Sequence, residues 1–361
     1  MPRLAYIDAL RGFAALYVVL HHISLMPKPS LDVPDWLRAL LRFGGSGVTL
    51  FFVISGFSMC LSWKRHAEAA RPVKSFYINR LARIAPLFYF WLVLAILRDA
   101  VFKGPAGQHG ALEIGANVLF LFNLYEPIQT GIVWASWTIG VEMLFYMVFP
   151  FIKRAGFDSL VKTSLLLVLS LTVVLMIQNG IADATHPYQP LLRTLFDGVG
   201  FFFALPVFLM GVVTYHVHEL LLSERIVRLP LRFVRLLLPL ALIVLSMLAI
   251  YHPTGPIWYY AAAVGYSMLL LGCSAWGRNI MVNPLTSYLG KISYSLYLNH
   301  PTLVYILIPV YLAIYKLGLG SIVAFFICAI LTTCILIPIS SLTFRFIEAP
   351  GMAWGKQRSS C

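Results

Sequence analysis

The chain has 361 residues, of which 60% are hydrophobic and only 11% charged, whereas a soluble domain carries about 25% charged residues. A mean hydropathy of +0.83 excludes an ordinary water-soluble fold. The formal charge of +13 reads as the basic excess of cytoplasmic loops in a membrane protein, so no nucleic acid is expected as a partner.

Apolar runs fall near 7–26, 45–63, 84–102, 133–152, 160–182, 195–217, 235–251, 256–276, 291–315 and 320–344. Runs of this length read as membrane spans. The expected fold is all-α, a polytopic integral membrane protein with about ten transmembrane helices. Leu112 to Tyr125 is apolar but short, and reads as a re-entrant or interfacial segment on the outer side. Lys64, Arg65, Arg71, Lys74, Arg80 and Arg83 face a single acid, Glu68, in the loop 64–83, which places that loop in the cytoplasm. Alternation adds Lys153 and Arg154, then Arg225, Arg228 and Arg232, then Arg278, and finally Arg345, Lys356 and Arg358. Loops 27–40, 183–193 and 252–255 fall outside, and both termini come out cytoplasmic. No loop is long enough for a soluble domain, so 1–350 reads as one transmembrane domain and 351–361 as a short cytoplasmic tail. The N-terminal apolar stretch is too long for a cleaved signal peptide and is interrupted by Asp8 and Arg11. The five cysteines include no metal-type C-x-x-C pair, and their odd number argues against a disulfide framework; no metal is expected.

The first span, Ile7 to Leu25, holds Arg11 and His22. Ionisable residues inside a span are costly and mark functional sites by default. Eleven residues make about three helical turns and about 16 Å, so the two share a face, with the cation near one membrane surface and the imidazole well inside. His21 points about 80° away, which favours His22. The plainer reading of His22 is a neutral imidazole bonded to a backbone carbonyl. Asp8 and Arg11, three residues apart, can pair at the cytoplasmic mouth.

In the second span, Gly44 to Phe57 is rich in glycine and serine. That suits close packing against the first helix and also leaves room for a substrate arm. Arg80 and Arg83 precede Pro86 in an R-x-x-R-x-x-P arrangement. Two guanidiniums on one face can grip phosphate bidentately; as topology-setting charge they need no ligand. In the fourth span Thr138, Glu142 and Tyr146 recur every four residues and line one face. A mid-span carboxylate either pairs with a buried cation, with Arg11, Arg80 and Arg83 as candidates, or performs proton chemistry. In the ninth span Pro301 biases His300 away from helical geometry, so a kink or break is expected there. Arg345 and Glu348 read as an i, i+3 pair closing the last helix.

These motifs in this order resemble the membrane-bound acyltransferase-3 family. Asp8-x-x-Arg11-Gly12 with His22, Gly47-Val48-x-Leu50-Phe51-Phe52-x-Ile54-Ser55-Gly56-Phe57 and Arg80-x-x-Arg83-x-x-Pro86 carry the first half. Ser136-Trp137-Thr138-x-x-x-Glu142-x-x-x-Tyr146-x-x-x-Pro150, Ser293-Tyr294-Ser295-Leu296-Tyr297 and Glu348-x-Pro350 carry the second. The resemblance runs from about residue 5 to 350. It implies transfer of an acyl group, usually acetyl, from a coenzyme A thioester to a carbohydrate hydroxyl in a bacterial inner membrane, with no permanently bound cofactor. The family's arginine–histidine motif falls on Arg11 and His22, and its R-x-x-R pair on Arg80 and Arg83. Ser136, Trp137 and Tyr146 fall on the substrate side. Many relatives carry an SGNH domain after the tenth helix; here the chain stops at Cys361, so the membrane domain or a separate partner is expected to complete the transfer. An aromatic residue often precedes the ninth-span histidine in the family; here it is Asn299, which weakens a role for His300.

The expected mechanism has donor phosphates at Arg80 and Arg83, with Arg11, and the thioester brought toward His22. Imidazole, with a reference pKa near 6.5, suits a general base for a sugar hydroxyl, and Glu142 could orient it or relay its proton. In a second route His22 itself is acylated and passes the group on. The rival classes are a transporter, which also uses buried His, Glu and Arg, and a subunit of a glycan-export complex. Transporters often show matching broken helices in two halves, and no such pairing is found.

Overall fold

The structure is a computed structural model, and it describes residues 4–67, 70–180, 189–222, 231–251, 255–276 and 281–359. Glu68, Arg225, Arg228, Arg278 and Cys361 lie outside them, as do loop residues 183–188 and 252–254 and the side chain of Arg232.

Fifteen α-helices make up the described chain: α1 (Ala5–Leu25), α2 (Asp35–Phe43), α3 (Gly47–Ala67), α4 (Pro72–Lys103), α5 (Ala111–Val118), α6 (Trp137–Arg154), α7 (Leu160–Gly180), α8 (Gln189–Phe196), α9 (Phe201–Leu222), α10 (Leu231–Tyr251), α11 (Pro256–Trp276), α12 (Pro284–Lys291), α13 (Ser293–Tyr315), α14 (Ser321–Thr343) and α15 (Ala349–Ser359). The described residues contain no strand. The ten apolar runs correspond to α1, α3, α4, α6, α7, α9, α10, α11, α13 and α14. Eight of these helices lie in stretches long and apolar enough to cross a membrane. The other two are α1, with Asp8, Arg11, His21 and His22, and α6, with Glu142, Lys153 and Arg154. In α1 and α6 these polar residues lower the hydropathy of the helix.

The surface supports the same reading. On α7 Leu165, Val168 and Met176 are more than 60% exposed, and on α10 so is Ile250. Contiguous apolar faces of this kind are unfavourable in water and at home in hydrocarbon. This is a multi-pass membrane protein.

The short apolar segment 112–125 does not span. It forms α5 and then 3₁₀ turns at Phe122–Leu124 and Glu126–Ile128. Its irregular backbone is satisfied from within. Buried Asn117 accepts from the Ile132 amide at 3.1 Å, and buried Asn123 donates to the carbonyls of Gln129 at 3.0 Å and Trp137 at 3.1 Å.

Two expectations are corrected. The chain does not break at Pro301, because α13 runs unbroken from Ser293 to Tyr315 with Pro301 inside it. Nor do Arg345 and Glu348 close the last helix. Phe344–Glu348 forms a π-helical turn that leads into α15, so the segment expected as a tail is helical to Ser359. Arg345 lies over the Phe346 ring at 5.6 Å, and Glu348 is buried.

The chain divides into two compact units. The first comprises Met1–Ile54 and His218–Phe344. Its core is largely aliphatic, with Ala15, Val19, Ile23, Leu289, Leu296, Val304 and Leu336 buried together. Here α1 packs on α12 and α13, and α10 on α11. The α1–α12 contact is backbone to backbone: a Cβ added at Gly290 would overlap the Asp8 carbonyl, and one at Gly12 would lie 2.9 Å from the Gly290 nitrogen. Gly44 and Gly47 likewise pack against α1: an added Cβ would lie 2.8 Å from the Tyr17 carbonyl and 2.7 Å from the Ala14 carbonyl, respectively. Gly290→Ala should therefore destabilise the protein by about 3 kcal/mol, the upper end for overpacking. Thermal unfolding in detergent measures this, and an unshifted midpoint would show that α12 can move aside freely.

The second unit comprises Ser55–Val217 and Arg345–Cys361. Its core is aromatic. Phe145 of α6 stacks on Phe208 of α9 at 4.2 Å between centroids, and Phe76 of α4 on Phe149 of α6 at 5.8 Å. In this unit α15 lies along α4.

Candidate active site

In the first unit the structure brings two histidines together that are 278 residues apart in sequence. His22 Nδ1 lies 2.9 Å from the Val18 carbonyl, one turn back along α1, and 3.3 Å from Nε2 of His300 on α13. The ring centroids are 4.9 Å apart. His300 is fully buried and its Nδ1 lies 2.6 Å from the Tyr297 carbonyl.

The carbonyl contacts fix the tautomers. A carbonyl only accepts, so Nδ1 of each ring carries the hydrogen and donates it, and each Nε2 is left with a lone pair. On His300 that lone pair faces the Nδ1–H of His22, which is shared between it and the Val18 carbonyl. On His22 the Nε2 likewise keeps its lone pair.

Pro301 explains why His300 is held this way. A proline has no N–H, so the helix loses the bond that residue 301 would give to the carbonyl of residue 297. The His300 side chain supplies a donor to that same Tyr297 oxygen. The residue pair that suggested a break in fact repairs one, and it orients the imidazole in doing so.

His300→Ala should lower kcat roughly fivefold, the effect of losing one hydrogen bond of about 1 kcal/mol. His300→Gln, whose amide oxygen can still accept from His22, should recover part of the loss. Equal activity in all three proteins, measured on purified material, would remove His300 from the site.

His21 is held elsewhere, its Nδ1 2.9 Å from the Leu41 carbonyl of α2. Asn299 donates to Ser340 Oγ at 3.2 Å and Thr343 Oγ1 at 2.9 Å, tying α13 to α14. Arg11 is half-buried on α1, and Asp8 is buried.

In the second unit Glu142 is the hub. Its Oε1 accepts hydrogen bonds from Ser55 Oγ at 2.6 Å and from the Tyr146 hydroxyl one turn further along α6. The expected face of α6 is thus real for this pair, while Thr138 Oγ1 turns back to the Ala135 carbonyl at 3.3 Å. The Arg80 guanidinium sits over the rings of Phe76 at 5.5 Å and Tyr146 at 5.3 Å, within electrostatic reach of Glu142. Its Nε is sealed from solvent and finds no acceptor. Ser136 is buried, and its hydroxyl donates to the Thr130 carbonyl at 3.4 Å. Trp137 is half-buried at the start of α6, two residues after Ala135, whose φ of 59° places a non-glycine residue in the left-handed region.

Beside Arg80 lies a cavity of about 750 Å³. Arg80 and Arg83 line it from α4, with Arg71 and Lys74 just before them, Arg65 from the end of α3, and Lys356 and Arg358 from α15. Ser62, Ser75, Asn79 and Ser359 add neutral hydrogen-bonding groups, and its described lining contains no acid. The charge clusters that read as topology signals in sequence are thus gathered around one space. The part played by Lys356 and Arg358 was not legible, because nothing local links residue 356 to residue 80. No group of three or more metal-binding side chains occurs among the described residues.

The family model described as an acyltransferase domain, that of the acyltransferase-3 family, matches residues 4–341. A Staphylococcus aureus (strain COL) protein named "Putative O-acetyltransferase" is 25% identical over 376 residues, covering 95% of this chain and 56% of its own length. "Nodulation protein 10" of Rhizobium leguminosarum bv. viciae is 30% identical over 174 residues, covering 41% of this chain and 46% of its own. An acyltransferase of Streptomyces mycarofaciens is 30% identical over 153 residues, covering 41% of this chain and 38% of its own. The chain spans about half the length of the S. aureus relative. No solved structure matches it.

Proposed function

The chain belongs to the acyltransferase-3 family, and on that premise we propose that it moves an acyl group, acetyl above all, from a coenzyme A thioester to a hydroxyl of a cell-surface or secreted carbohydrate. The acyltransferase activity, the donor, the acceptor and the residue roles together make up the proposal, and membership of the family supports it. The observation that carries it is the Nε2 lone pair of His22, kept because Nδ1 is the atom committed to the Val18 carbonyl and His300.

A sugar hydroxyl is a weak nucleophile until its proton is removed. His22 Nε2 takes that proton as the oxygen attacks the thioester carbonyl. The new C–O bond forms, the C–S bond breaks, and the imidazolium returns its proton to the departing thiolate. The bond from His22 Nδ1–H to His300 steadies the ring while it carries positive charge.

Arg80 and Arg83 are assigned to the donor's diphosphate, with Arg11 a further donor-side cation. The cavity lining, rich in Lys and Arg and with no acid among its described residues, supports this. Glu142 is assigned to the second unit's polar cluster, where it anchors Ser55 and Tyr146 beside Arg80. Ser136, Trp137 and Tyr146 are kept on the substrate side, Trp137 offering a ring face of the kind sugars pack against. The carbohydrate acceptor rests on the family resemblance and on the relative named as an O-acetyltransferase. The membrane is taken to be a bacterial inner membrane, with both termini and the basic cavity on the cytoplasmic side where acyl-CoA is found.

Mass spectrometry of surface glycans from a deletion strain tests this reading. One acyl mass should disappear, return with the wild-type gene, and stay absent with His22→Ala. A glycan profile that is the same in all three strains would contradict it.

A further inference from the structure

The cavity of the second unit has more charge than a diphosphate needs. A diphosphate diester brings two negative charges, and the described wall presents seven Lys and Arg side chains. Two of these, Lys356 and Arg358, come from α15, which the reaction above does not use.

The placement of α15 is not loose. A Cβ at Gly351 would lie 2.6 Å from Pro86 Cγ and 2.8 Å from the Ala82 carbonyl, and one at Gly355 would overlap Ala82 Cβ. Both contacts are with α4, within a turn or so of Arg80 and Arg83. The two glycines let α15 press against the backbone of α4, and the last turn of α15 then lines the same cavity as the arginine pair. Cations in a last helical turn also favour the helix dipole, but that effect needs neither the glycine contact nor the shared cavity.

We infer that Lys356 and Arg358 bind a second phosphate group of the donor, the phosphomonoester on the adenosine ribose, apart from the diphosphate at Arg80 and Arg83. This rests on the acyl-CoA reading of the cavity and adds a subsite to it. A phosphomonoester carries close to two negative charges at neutral pH and three acceptor oxygens. An arginine fork and a lysine point charge together suit such a terminal group. A volume of about 750 Å³ is in the range of pockets that take small-molecule ligands, about 300–1,000 Å³. The same chemistry would recognise an anionic lipid headgroup, so the test separates the two sources.

The test uses the full-length protein in nanodiscs of zwitterionic lipid, with acetyl-CoA and acetyl-3′-dephospho-CoA as alternative donors. The wild type should show a KM roughly tenfold lower for acetyl-CoA, as one or two charge-assisted hydrogen bonds provide. In Lys356→Gln/Arg358→Gln the two KM values should converge, with kcat little changed and the thermal midpoint retained. Arg80→Gln/Arg83→Gln should raise both KM values together. If the wild type does not discriminate, or the α15 variant still does, the inference fails while the donor reading stands on Arg80 and Arg83. An effect seen only in phosphatidylglycerol nanodiscs, and equal for both donors, would assign the two cations to lipid and also overturn it. No binding of either donor would overturn the donor reading and this subsite with it.

Discussion

His22→Ala should reduce kcat for acyl transfer by roughly 10²–10⁴-fold, the usual worth of a positioned general base. Protein level and membrane insertion should be unaffected, because the His22 side chain is only part-buried and its hydrogen bonds to Val18 and His300 can be lost without opening the aliphatic core. His22→Gln is the sharper variant. It keeps much of the size and some hydrogen bonding, yet has no group that accepts and returns a proton near neutral pH. Rates per mole of purified, folded protein are the measure. Full activity in either variant would remove the imidazole from the chemistry and return His22 to a structural role.

Arg80→Gln/Arg83→Gln should act on the other kinetic constant. Each lost charge-assisted contact to phosphate is worth about 1.5–3 kcal/mol, so the donor KM should rise roughly 100-fold or more, with kcat within about threefold. Arg80→Lys should fall between the two. It keeps the charge but loses the planar fork and its seat over Phe76 and Tyr146. An unchanged donor KM in the double variant would leave these arginines as charges that only set topology.

The membrane helices were legible because the signal is local. A run long and apolar enough to cross hydrocarbon announces itself, and all ten runs became helices. The polar residues of α1 and α6 stood out against them for the same reason. The Tyr146–Glu142 bond was legible from four-residue spacing, but the Ser55–Glu142 bond joins residues 87 positions apart and was not. His300 was discounted because Asn299 departs from a motif. Its value lies in a contact with His22 that no local pattern encodes. Of the kink or break expected at Pro301 the break is absent, because the rule counts only backbone donors and here a side chain replaces the missing one.

The last helix shows the same limit. Ala349–Ser359 holds Pro350, Gly351 and Gly355, residues that disfavour helix by propensity. Two of them are what allow α15 to lie against α4, so packing rather than propensity accounts for its presence. The basic residues at its end, though exposed, line the cavity with the cations of α4.

The most direct test is thiol release from acetyl-CoA by the purified protein, followed with and without a carbohydrate acceptor, in wild type and His22→Gln. The account requires acceptor-dependent release of free coenzyme A and appearance of the acetyl group on the carbohydrate, both lost in His22→Gln while donor binding persists. Intact thioester in the wild type under conditions where donor and acceptor are bound, or equal release in the variant, would contradict it.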